Sequence, residues 1–312
     1  MDQRLKPVVA IVGPTASGKS ELGIEIALRF GGEIINCDSV QVYSEIEVAT
    51  AKVPIEERRG VPHHLIDFVP PRMNYTAGDW ARDAAAKIAE IEARSSLALL
   101  VGGTGLYLRA LRQPFFEGPA TDGSLRQRLA RLREKKGVEH LYRILLRVDP
   151  AAAAKLYRRD WSRVQRALEV YFQTGRRISE AQRQMPSPPE FVARLRVIAL
   201  APPREEIYSR INKRVEQWFG NRLLEEVQSL IASGVPLDAR VFKALGYRHM
   251  LEHLQGKSSR EEALDQMKID ERRYAKRQLT WFRREPDVKW IDKFGDDPRA
   301  LREAVEFLED EF

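Results

Sequence analysis

The residues from Gly13 to Ser20 read GPTASGKS, and they have the spacing of a loop that wraps phosphate oxygens. In such loops, backbone N–H groups and the N-terminus of the following helix supply partial positive charge. Lys19 adds a full charge, and the Ser20 hydroxyl is suited to ligate a Mg²⁺ ion that bridges phosphate oxygens. The motif predicts a site for ATP, for GTP or for some other ligand that carries a diphosphate. The site is formed by Gly13, Pro14, Thr15, Ala16, Ser17, Gly18, Lys19 and Ser20.

A carboxylate, Asp38, follows the second apolar run, in the stretch INCDSVQVY. Enzymes with a phosphate loop need a carboxylate at the end of a neighbouring strand, where it holds a metal or polarises a nucleophile. However, Asp-Ser is also common in turns, where the carboxylate only accepts backbone N–H groups. From the residues alone, Asp38 is equally well interpreted as a catalytic group and as a turn cap.

Three further motifs have a chemical and a structural interpretation. Thr104, in GGTGLY, is either a site residue or the cap of a helix that packs closely on a strand. The adjacent His63 and His64 would point to opposite faces of a strand, so they are predicted to form hydrogen bonds rather than to share a metal. Cys37 alternates away from Asp38 and is not predicted to be a nucleophile.

Alternating strand and helix patterns surround these residues. The apolar runs PVVAIV, GEIINCD and LALLVGGTG are predicted strands, and patterns such as KSELGIEIALRF and YTAGDWARDAAAKIAEIEARS are predicted helices. This order is typical of an α/β fold with a parallel sheet flanked by helices. Ligands of such sheets bind at the carboxyl ends of the strands, where the phosphate loop, Asp38 and GGTG all fall.

Two segments rich in Pro and Gly, QPFFEGPATDG and QMPSPPEF, enclose a stretch with helical patterns and no convincing strand. Within it, Asp149 and Asp160 are predicted to cap helix N-termini, and Gly175 is predicted to end a helix. A strand, RLRVIALAPP, and one long helix from Arg204 to Ser233 are predicted afterwards. The predicted organisation is a P-loop NTPase-like parallel sheet core, residues 1–113 and 194–312, with an all-helical subdomain inserted at residues 114–193.

Composition narrows the class of partner. The 312 residues have a formal net charge of +7, which favours a polyanion and above all nucleic acid. The single cysteine excludes an internal disulfide and a Cys-based zinc site, and it predicts a cytoplasmic protein. No apolar run approaches the roughly 20 residues of a membrane span. No association with a membrane is therefore expected.

Much of the positive charge lies in three segments, REEIYSRINKRVEQWF, KALGYRHM and ERRYAKRQLTWFRR. In the first, Arg210 and Arg214 lie one helical turn apart, either on a solvated face or as a clamp on a diphosphate opposite the loop. The third interleaves cations with aromatic residues, which suits RNA because guanidinium groups bind phosphates and aromatic rings stack on unpaired bases. At least one of Trp281 and Phe282 is expected to lie in the core.

The motifs GPTASGKS, DSVQVY, TAKV, HHLIDF, VGGTGLYLRAL, RALEVY, KALGYRHM and KRQLTWFRR occur in the order seen in bacterial tRNA dimethylallyltransferases, the isopentenyl-transferase family. The chain resembles this family over almost its whole length. The resemblance implies transfer of a dimethylallyl group from dimethylallyl diphosphate to N6 of adenosine 37 in tRNA. It also implies that the loop holds, with Mg²⁺, the diphosphate of this donor and not a nucleotide.

By the same resemblance, Asp38 is the general base, Thr104 is a second catalytic residue, and Arg214 holds the diphosphate. A monomer that grips the anticodon stem-loop with its helical insertion is expected. The resemblance and the basic segments together predict the following tRNA-binding residues: Asp38, Ser39, Val40, Gln41, Thr104, Arg126, Ser162, Arg163, Val164, Gln165, Arg166, Lys243, Gly246, Tyr247, Arg248, Lys276, Arg277, Gln278, Trp281 and Arg283.

Two functions of other classes share parts of this pattern. A P-loop small-molecule kinase has the same strand, loop and helix followed by an aspartate, but it usually carries an arginine-bearing lid and needs less basic surface. An RNA-binding ATPase needs a second hydrolytic carboxylate after a long apolar strand, and LALLVGG ends in glycines instead. Turnover of ATP, compared with turnover of dimethylallyl diphosphate in the presence of unmodified tRNA, distinguishes the three functions.

Overall fold

A computed structural model describes residues 6–116 and 118–311 of the chain. In these residues, six parallel strands form one sheet with the order β3-β2-β4-β1-β5-β6. The strands are β1 (Val8–Val12), β2 (Gly32–Asn36), β3 (His63–His64), β4 (Leu97–Gly102), β5 (Leu195–Leu200) and β6 (Val288–Ile291). The predicted α/β class with a parallel sheet is confirmed.

Helices lie between and after the strands. In chain order, the α-helices of the described residues are α1 (Lys19–Phe30), α2 (Ala77–Ala93), α3 (Gly105–Arg112), α4 (Gly123–Lys136), α5 (Val138–Val148), α6 (Pro150–Ala153), α7 (Trp161–Thr174), α8 (Ile178–Ala181), α9 (Arg204–Trp218), α10 (Asn221–Ala232), α11 (Tyr247–Leu254), α12 (Arg260–Phe282) and α13 (Pro298–Glu309). None of the helices described in residues 6–116 and 118–311 has both the length and the apolar character needed to cross a membrane.

The sheet is buried on both faces, as the alternation of side chains along β1 shows. Val8, Ala10 and Val12 belong to one hydrophobic cluster, which also contains side chains of α2, α3 and α9 to α12. Val9 and Ile11 belong to a second cluster on the other face, together with side chains of α1 and α13. Because a strand places successive residues on opposite faces, one short apolar run contributes to both clusters.

The chain divides into two compact units, a core unit that includes Arg112 and Pro189 at its internal ends and an insertion unit, Gln113–Pro188. The predicted insertion extends too far at its C-terminal end. Residues Glu190–Arg194 form a short 3₁₀ helix, and Phe191 is buried in a hydrophobic cluster of the core unit. Burial of this aromatic side chain joins the segment to the core.

The insertion unit has a hydrophobic cluster of its own, formed by α4 to α8. Its predicted helix ends are confirmed. Asp149 accepts a hydrogen bond from the Ala152 backbone N at 3.0 Å, and Asp160 accepts one from the Arg163 backbone N at 3.3 Å. Gly175 ends α7 in the left-handed conformation, with φ of +70°.

The single long helix predicted from Arg204 to Ser233 is wrong, because α9 ends at Trp218 and α10 begins at Asn221. Between them, Gly220 has extended backbone (φ −111°, ψ −168°) and occupies the N-cap position of α10. The apolar spacing continues across the break, since buried residues of both helices belong to the same cluster. This continuity explains why the pattern alone does not show the break.

Candidate active site

The phosphate loop, Gly13–Ser20, connects β1 to α1. Gly18 has φ of +83°, a left-handed conformation that favours glycine. A Cβ atom added at Gly18 would lie 2.7 Å from the backbone N of Gly295, so this close approach also requires a glycine. The Gly295 N–H donates to the Ser17 carbonyl at 2.8 Å. The segment that follows β6 therefore supports the loop, a contact that the sequence does not reveal.

Lys19 places a half-buried cation at the loop. Its Nζ donates to the Pro14 carbonyl at 2.8 Å. Burial lowers the pKa of Lys19 to about 8, while the Asp38 carboxylate raises this pKa and the Arg214 guanidinium lowers it. Lys19 is therefore mostly charged near neutral pH but poorly solvated, and a bound anion would compensate for the lost water.

Arg214, on α9, reaches the loop from another element. Its Nη2 donates to Thr15 Oγ1, and its guanidinium lies over the Trp218 ring, 4.4 Å from the centroid. Burial lowers the pKa of Arg214, although a guanidinium stays charged in proteins. Its buried Nε has no hydrogen-bond partner among the described residues. Arg214 therefore brings to the loop a guanidinium with one unsatisfied buried donor.

Arg210, one turn earlier on α9, does not join Arg214 at the loop. Its Nη1 donates to both carboxylate oxygens of Asp296 at 3.0 Å, and its guanidinium lies 3.6 Å from the centroid of the Phe294 ring. The predicted clamp formed by both arginines is therefore wrong, because Arg210 is engaged with the segment after β6. Of the two, Arg214 is the residue that contacts the phosphate loop.

Asp38 lies immediately after β2, and its two carboxylate oxygens have different surroundings. Oδ1 accepts hydrogen bonds from the backbone N of Val40 at 2.8 Å and from that of Gln41 at 3.4 Å. Oδ2 accepts no hydrogen bond from any residue that the structure describes. The turn-cap interpretation is therefore correct for Oδ1, and it leaves Oδ2 available to a substrate.

Thr104 joins the loop after β4 to the Asp38 turn. Its Oγ1 accepts from the Ser39 backbone N at 3.0 Å and lies 3.4 Å from Ser39 Oγ, while its backbone N donates to the Cys37 carbonyl at 3.1 Å. Burial strongly raises the pKa of Tyr274, on α12, and the nearby Thr104 side chain partly opposes this shift. Thr104 thus has a clear structural role, and its catalytic role stays a prediction.

Gln278, predicted as a tRNA contact, connects two loops of the site. Its Oε1 accepts from the Thr15 backbone N at 2.8 Å, and its Nε2 donates to the Gly103 carbonyl at 2.9 Å. The side chain is buried, so its amide has both an acceptor and a donor function inside the protein. The prediction of a tRNA contact for Gln278 is corrected to a link between the phosphate loop and the GGTG loop.

Glu271 is a site residue that the sequence analysis missed. It lies seven residues before Gln278 on α12, so both project from about the same face of that helix. Its side chain is 5% exposed, and burial raises the pKa of Glu271 to about 7. The Arg214 guanidinium lowers this pKa and the Asp38 carboxylate raises it. The signal in the sequence is a carboxylate within the apolar stripe that contains Ala275 and Phe282.

The remaining polar motifs have structural roles. Cys37 is buried, and burial strongly raises its pKa, which agrees with the prediction that it is not a nucleophile. His63 Nδ1 lies 2.8 Å from the Val61 carbonyl, and His64 Nε2 lies 2.7 Å from Glu33 Oε2. Both histidines therefore form hydrogen bonds, as predicted.

Of the tRNA-binding residues predicted in the core unit, the basic ones remain accessible. Lys243, Lys276, Arg277 and Arg283 are exposed, and Phe282 is the expected core aromatic. Tyr247 is fully buried, so the predicted contact of its side chain with tRNA is not supported.

The Tyr247 hydroxyl donates to Glu226, whose carboxylate also accepts from the backbone N of Glu47 at 2.8 Å and of Val48 at 3.1 Å. This contact fixes the loop that follows Asp38.

In the insertion unit, Ser162 and Arg163 lie exposed at the start of α7, whereas Val164 and Gln165 are buried. The Val164 side chain packs in the hydrophobic cluster, so its predicted tRNA contact is also not supported. Gln165, Arg126 and Arg166 all contact the carboxylate of Glu169.

The described residues contain no group of three His, Cys, Asp or Glu side chains that could hold a metal ion. Mg²⁺, however, usually retains several waters and is bound through one or two protein oxygens together with substrate phosphates. Ser20, in the first turn of α1, offers such an oxygen beside the loop. Ser17 Oγ, fully buried in the loop, has no hydrogen-bond partner among the described residues. The donor set therefore fits a cation held mainly by a bound diphosphate.

Two family models match the chain, IPP transferase over residues 41–285 and isopentenyl transferase over residues 6–67. The chain belongs to the IPP transferase family. It is therefore a prenyltransferase enzyme, and the family resemblance drawn from the motifs is confirmed. Together, the two matched ranges include the phosphate loop, Asp38, Thr104, Arg214, Glu271 and Gln278, whereas Gly295 lies outside them.

Proteins that align with this chain over most of their length are named tRNA dimethylallyltransferases. A tRNA dimethylallyltransferase from Solibacter usitatus is 45% identical over 300 residues, which cover 96% of this chain and 97% of the relative. One from Thermomicrobium roseum is 46% identical over 92% of this chain and 86% of the relative.

Solved structures of this family share the fold. The tRNA isopentenylpyrophosphate transferase of Bacillus halodurans has a TM-score of 0.71 with 38% identity, over 99% of this chain and 98% of that one. A eukaryotic dimethylallyltransferase, studied as it acts on tRNA, has a TM-score of 0.78 with 28% identity, over 98% of this chain and 80% of that one. The predicted P-loop-like architecture is confirmed.

Proposed function

We propose that this prenyltransferase moves a dimethylallyl group from dimethylallyl diphosphate to N6 of adenosine 37 in tRNA, with Asp38 as the general base. The names of its relatives support tRNA as the acceptor and a dimethylallyl group as the cargo. The exposed basic residues of α12 and the net charge of +7 support binding of a polyanion. A cytoplasmic, monomeric enzyme is part of the same proposal.

The observation that carries the proposal is the arrangement at Asp38. One carboxylate oxygen is fixed by backbone N–H groups, and the other accepts no hydrogen bond from the described residues. This carboxylate acts electrostatically on Lys19 and Arg214, the two cations at the phosphate loop. A base and an anion-binding group are thus close to each other at the carboxyl ends of β1 and β2.

This arrangement suits alkylation of an amine. The N6 amino group of adenine is a poor nucleophile, because its lone pair is delocalised into the ring. As N6 attacks the allylic carbon, the bond from that carbon to oxygen breaks and the diphosphate leaves with the electron pair. The new C–N bond gives N6 a positive charge, which is lost when a proton passes to Asp38 Oδ2.

The leaving diphosphate gains charge in the same step. The backbone N–H groups of the phosphate loop, Lys19 Nζ and the Arg214 guanidinium stabilise this charge electrostatically. When bound through Ser20, Mg²⁺ supplies further positive charge to the phosphate oxygens. Because these groups contact oxygens of the diphosphate, they do not require the base or ribose of a nucleotide.

The test is incubation of the protein with unmodified tRNA and either dimethylallyl diphosphate or ATP, followed by mass measurement of the anticodon-loop fragment. We expect this fragment to gain mass only in the reaction that contains dimethylallyl diphosphate. The gain should equal the mass of one dimethylallyl group less that of the hydrogen atom it replaces. Fast ATP turnover without prenyl transfer would contradict the proposal. Transfer to a fragment without adenosine 37 would refute the assigned position.

A further inference from the structure

Glu169, on α7, is a carboxylate without solvent exposure inside the insertion unit. Arg126, on α4, binds it with two hydrogen bonds, from Nε to Oε1 at 2.8 Å and from Nη2 to Oε2 at 3.1 Å. Gln165 Nε2 donates to Oε1 at 2.9 Å, and Arg166 Nη1 lies 3.7 Å from Oε2. Three residues predicted to face the RNA thus converge on one acid that no motif singled out.

A charged carboxylate is costly to bury unless it is paired and hydrogen-bonded, and here both oxygens are engaged. The paired bonds from Arg126 have the directional geometry that a planar guanidinium forms with a carboxylate. A lysine at this position could not reproduce that geometry, because its ammonium is a compact charge without a fork. The pairing therefore determines the orientation of the Arg126 guanidinium as well as its position.

The contact with Glu169 uses only some of the hydrogen-bond donors of the Arg126 guanidinium. Arginine has five N–H donors, and Glu169 takes two of them, which leaves one on Nη2 and two on Nη1. The Arg126 side chain is 48% exposed, so these donors can meet a ligand from solvent. A guanidinium whose direction is already fixed loses less rotamer freedom when it binds an anion.

The carboxylate also connects separate parts of the insertion unit. Arg166 donates through Nη2 to the Pro119 carbonyl at 3.0 Å, while its Nη1 approaches Glu169. Glu169 thereby joins α4, the start of α7 and the segment around Pro119. The exposed side chains of Ser162 and Arg163 lie on the first turn of the same helix.

We infer that Glu169 is a positioning residue for tRNA binding, which holds the Arg126 guanidinium with its free edge directed at an RNA phosphate. This inference rests on the proposed function, since it assumes that tRNA is the substrate. It assigns a role in RNA affinity to a buried negative charge, although negative charge normally repels RNA.

This assignment predicts that removal of the negative charge of Glu169 weakens the binding of tRNA instead of strengthening it. Glu169→Gln removes one negative charge, so long-range electrostatics alone would strengthen the binding of a polyanion. If Glu169 positions Arg126, the same change should weaken tRNA binding by about 5- to 10-fold and leave the Kd of dimethylallyl diphosphate unchanged. The matched control is Glu139→Gln, an identical charge change at an exposed position on α5, which should bind tRNA at least as tightly as wild type.

A double-mutant cycle separates positioning from a general effect on folding. Arg126→Ala should weaken tRNA binding, and adding Glu169→Gln to it should have little further effect, because the residue that Glu169 holds is then absent. Arg126→Lys keeps the charge without the fork and should weaken binding nearly as much as Arg126→Ala. This last variant leaves Glu169 in place and tests the inference even if Glu169→Gln does not fold.

The measurements are tRNA Kd and single-turnover prenyl transfer, at a temperature where circular dichroism shows each variant folded. Wild type is measured first, and failure to bind or prenylate tRNA would refute the proposed function itself. With an active wild type, the inference is overturned if Glu169→Gln binds tRNA as tightly as wild type. It is also overturned if the effect of Glu169→Gln persists undiminished in the Arg126→Ala background, or if Arg126→Lys binds normally.

Discussion

In Asp38, Oδ1 closes a turn, whereas Oδ2 has no hydrogen-bond partner among the described residues and is the proposed general base. Asp38→Asn keeps a carbonyl oxygen to accept from the Val40 N–H, but it removes the base. We expect single-turnover transfer to fall by about 10²- to 10⁴-fold, with little change in the Kd of tRNA or of the diphosphate. Transfer within a few-fold of wild type would leave Asp38 as a turn cap alone.

The two arginines of α9 form a matched pair for testing the diphosphate site. Arg214 contacts the phosphate loop, whereas Arg210, one helical turn earlier on α9, is paired with Asp296. Arg214→Ala should lower kcat/KM for dimethylallyl diphosphate by about 10²- to 10³-fold, the usual cost of one lost electrostatic contact to developing charge. The Kd of tRNA should stay nearly constant. Arg210→Ala removes the same charge from the same helix, and an equally large loss there would contradict the assignment.

Lys19 should make the use of the donor depend on pH. Burial lowers its pKa to about 8, so the free enzyme loses this positive charge as the pH rises above that value. We expect kcat/KM for dimethylallyl diphosphate to fall as the pH rises from about 8 to 10 with tRNA saturating. The fall in kcat should occur at higher pH, because bound diphosphate favours the charged ammonium. Lys19→Arg, which stays charged, should remove the fall in kcat/KM if it is active.

At the scale of elements, α12 connects the parts of the site through Gln278. Gln278→Ala removes one hydrogen bond to the phosphate loop and one to the GGTG loop. We expect unfolding to be easier by about 1–3 kcal/mol and kcat to fall more than tRNA affinity, because the loops lose their mutual alignment. Lys276→Ala, an exposed neighbour on α12, is the control for stability. A loss confined to tRNA affinity would restore Gln278 to the RNA-binding set.

The features that were predictable from the sequence are those encoded locally. Strand β1, the phosphate loop and the caps Asp149 and Asp160 each depend on residues within a few positions of one another. Contacts between distant segments leave no such trace, which is why the support of the loop by Gly295 was missed. Glu271 was missed for a related reason, since its importance comes from Arg214 and Asp38 on other elements.

Burial also determines whether a side chain can contact RNA, and residue type alone does not reveal it. Tyr247 and Val164 lie in segments rich in cations, and their positions next to basic residues favoured an RNA contact. The helices that carry them turn both side chains into hydrophobic clusters. The helical periodicity of α7 distinguishes the buried Val164, Ala167 and Leu168 from the exposed Ser162 and Arg163. A motif match does not make this distinction, because it treats the whole segment as one unit.

For the whole molecule, the net charge of +7 predicts strongly salt-dependent binding of tRNA. Arg277→Ala or Arg283→Ala should each reduce the slope of log K against log salt by about 0.7–0.9 if the side chain meets one phosphate. Arg29→Ala is a matched control, because Arg29 is paired with Glu309 on the side of the sheet covered by α1 and α13. Identical slopes for wild type and for both test variants would assign Arg277 and Arg283 to the solvated surface.

The strand order has a consequence for synthesis on the ribosome. In the finished sheet, β1 lies between β4 and β5, but the whole insertion unit is translated between those two strands. At ~5–20 residues per second, the interval from the end of β4 to the emergence of β5 lasts roughly 5 to 20 s. Throughout it, one edge of β1 has no strand beside it, and such an edge can pair with another nascent chain. Translation of the inserted subdomain therefore delays completion of the sheet that carries the candidate active site, and it lengthens the time for which an unpaired edge of β1 is exposed to other chains.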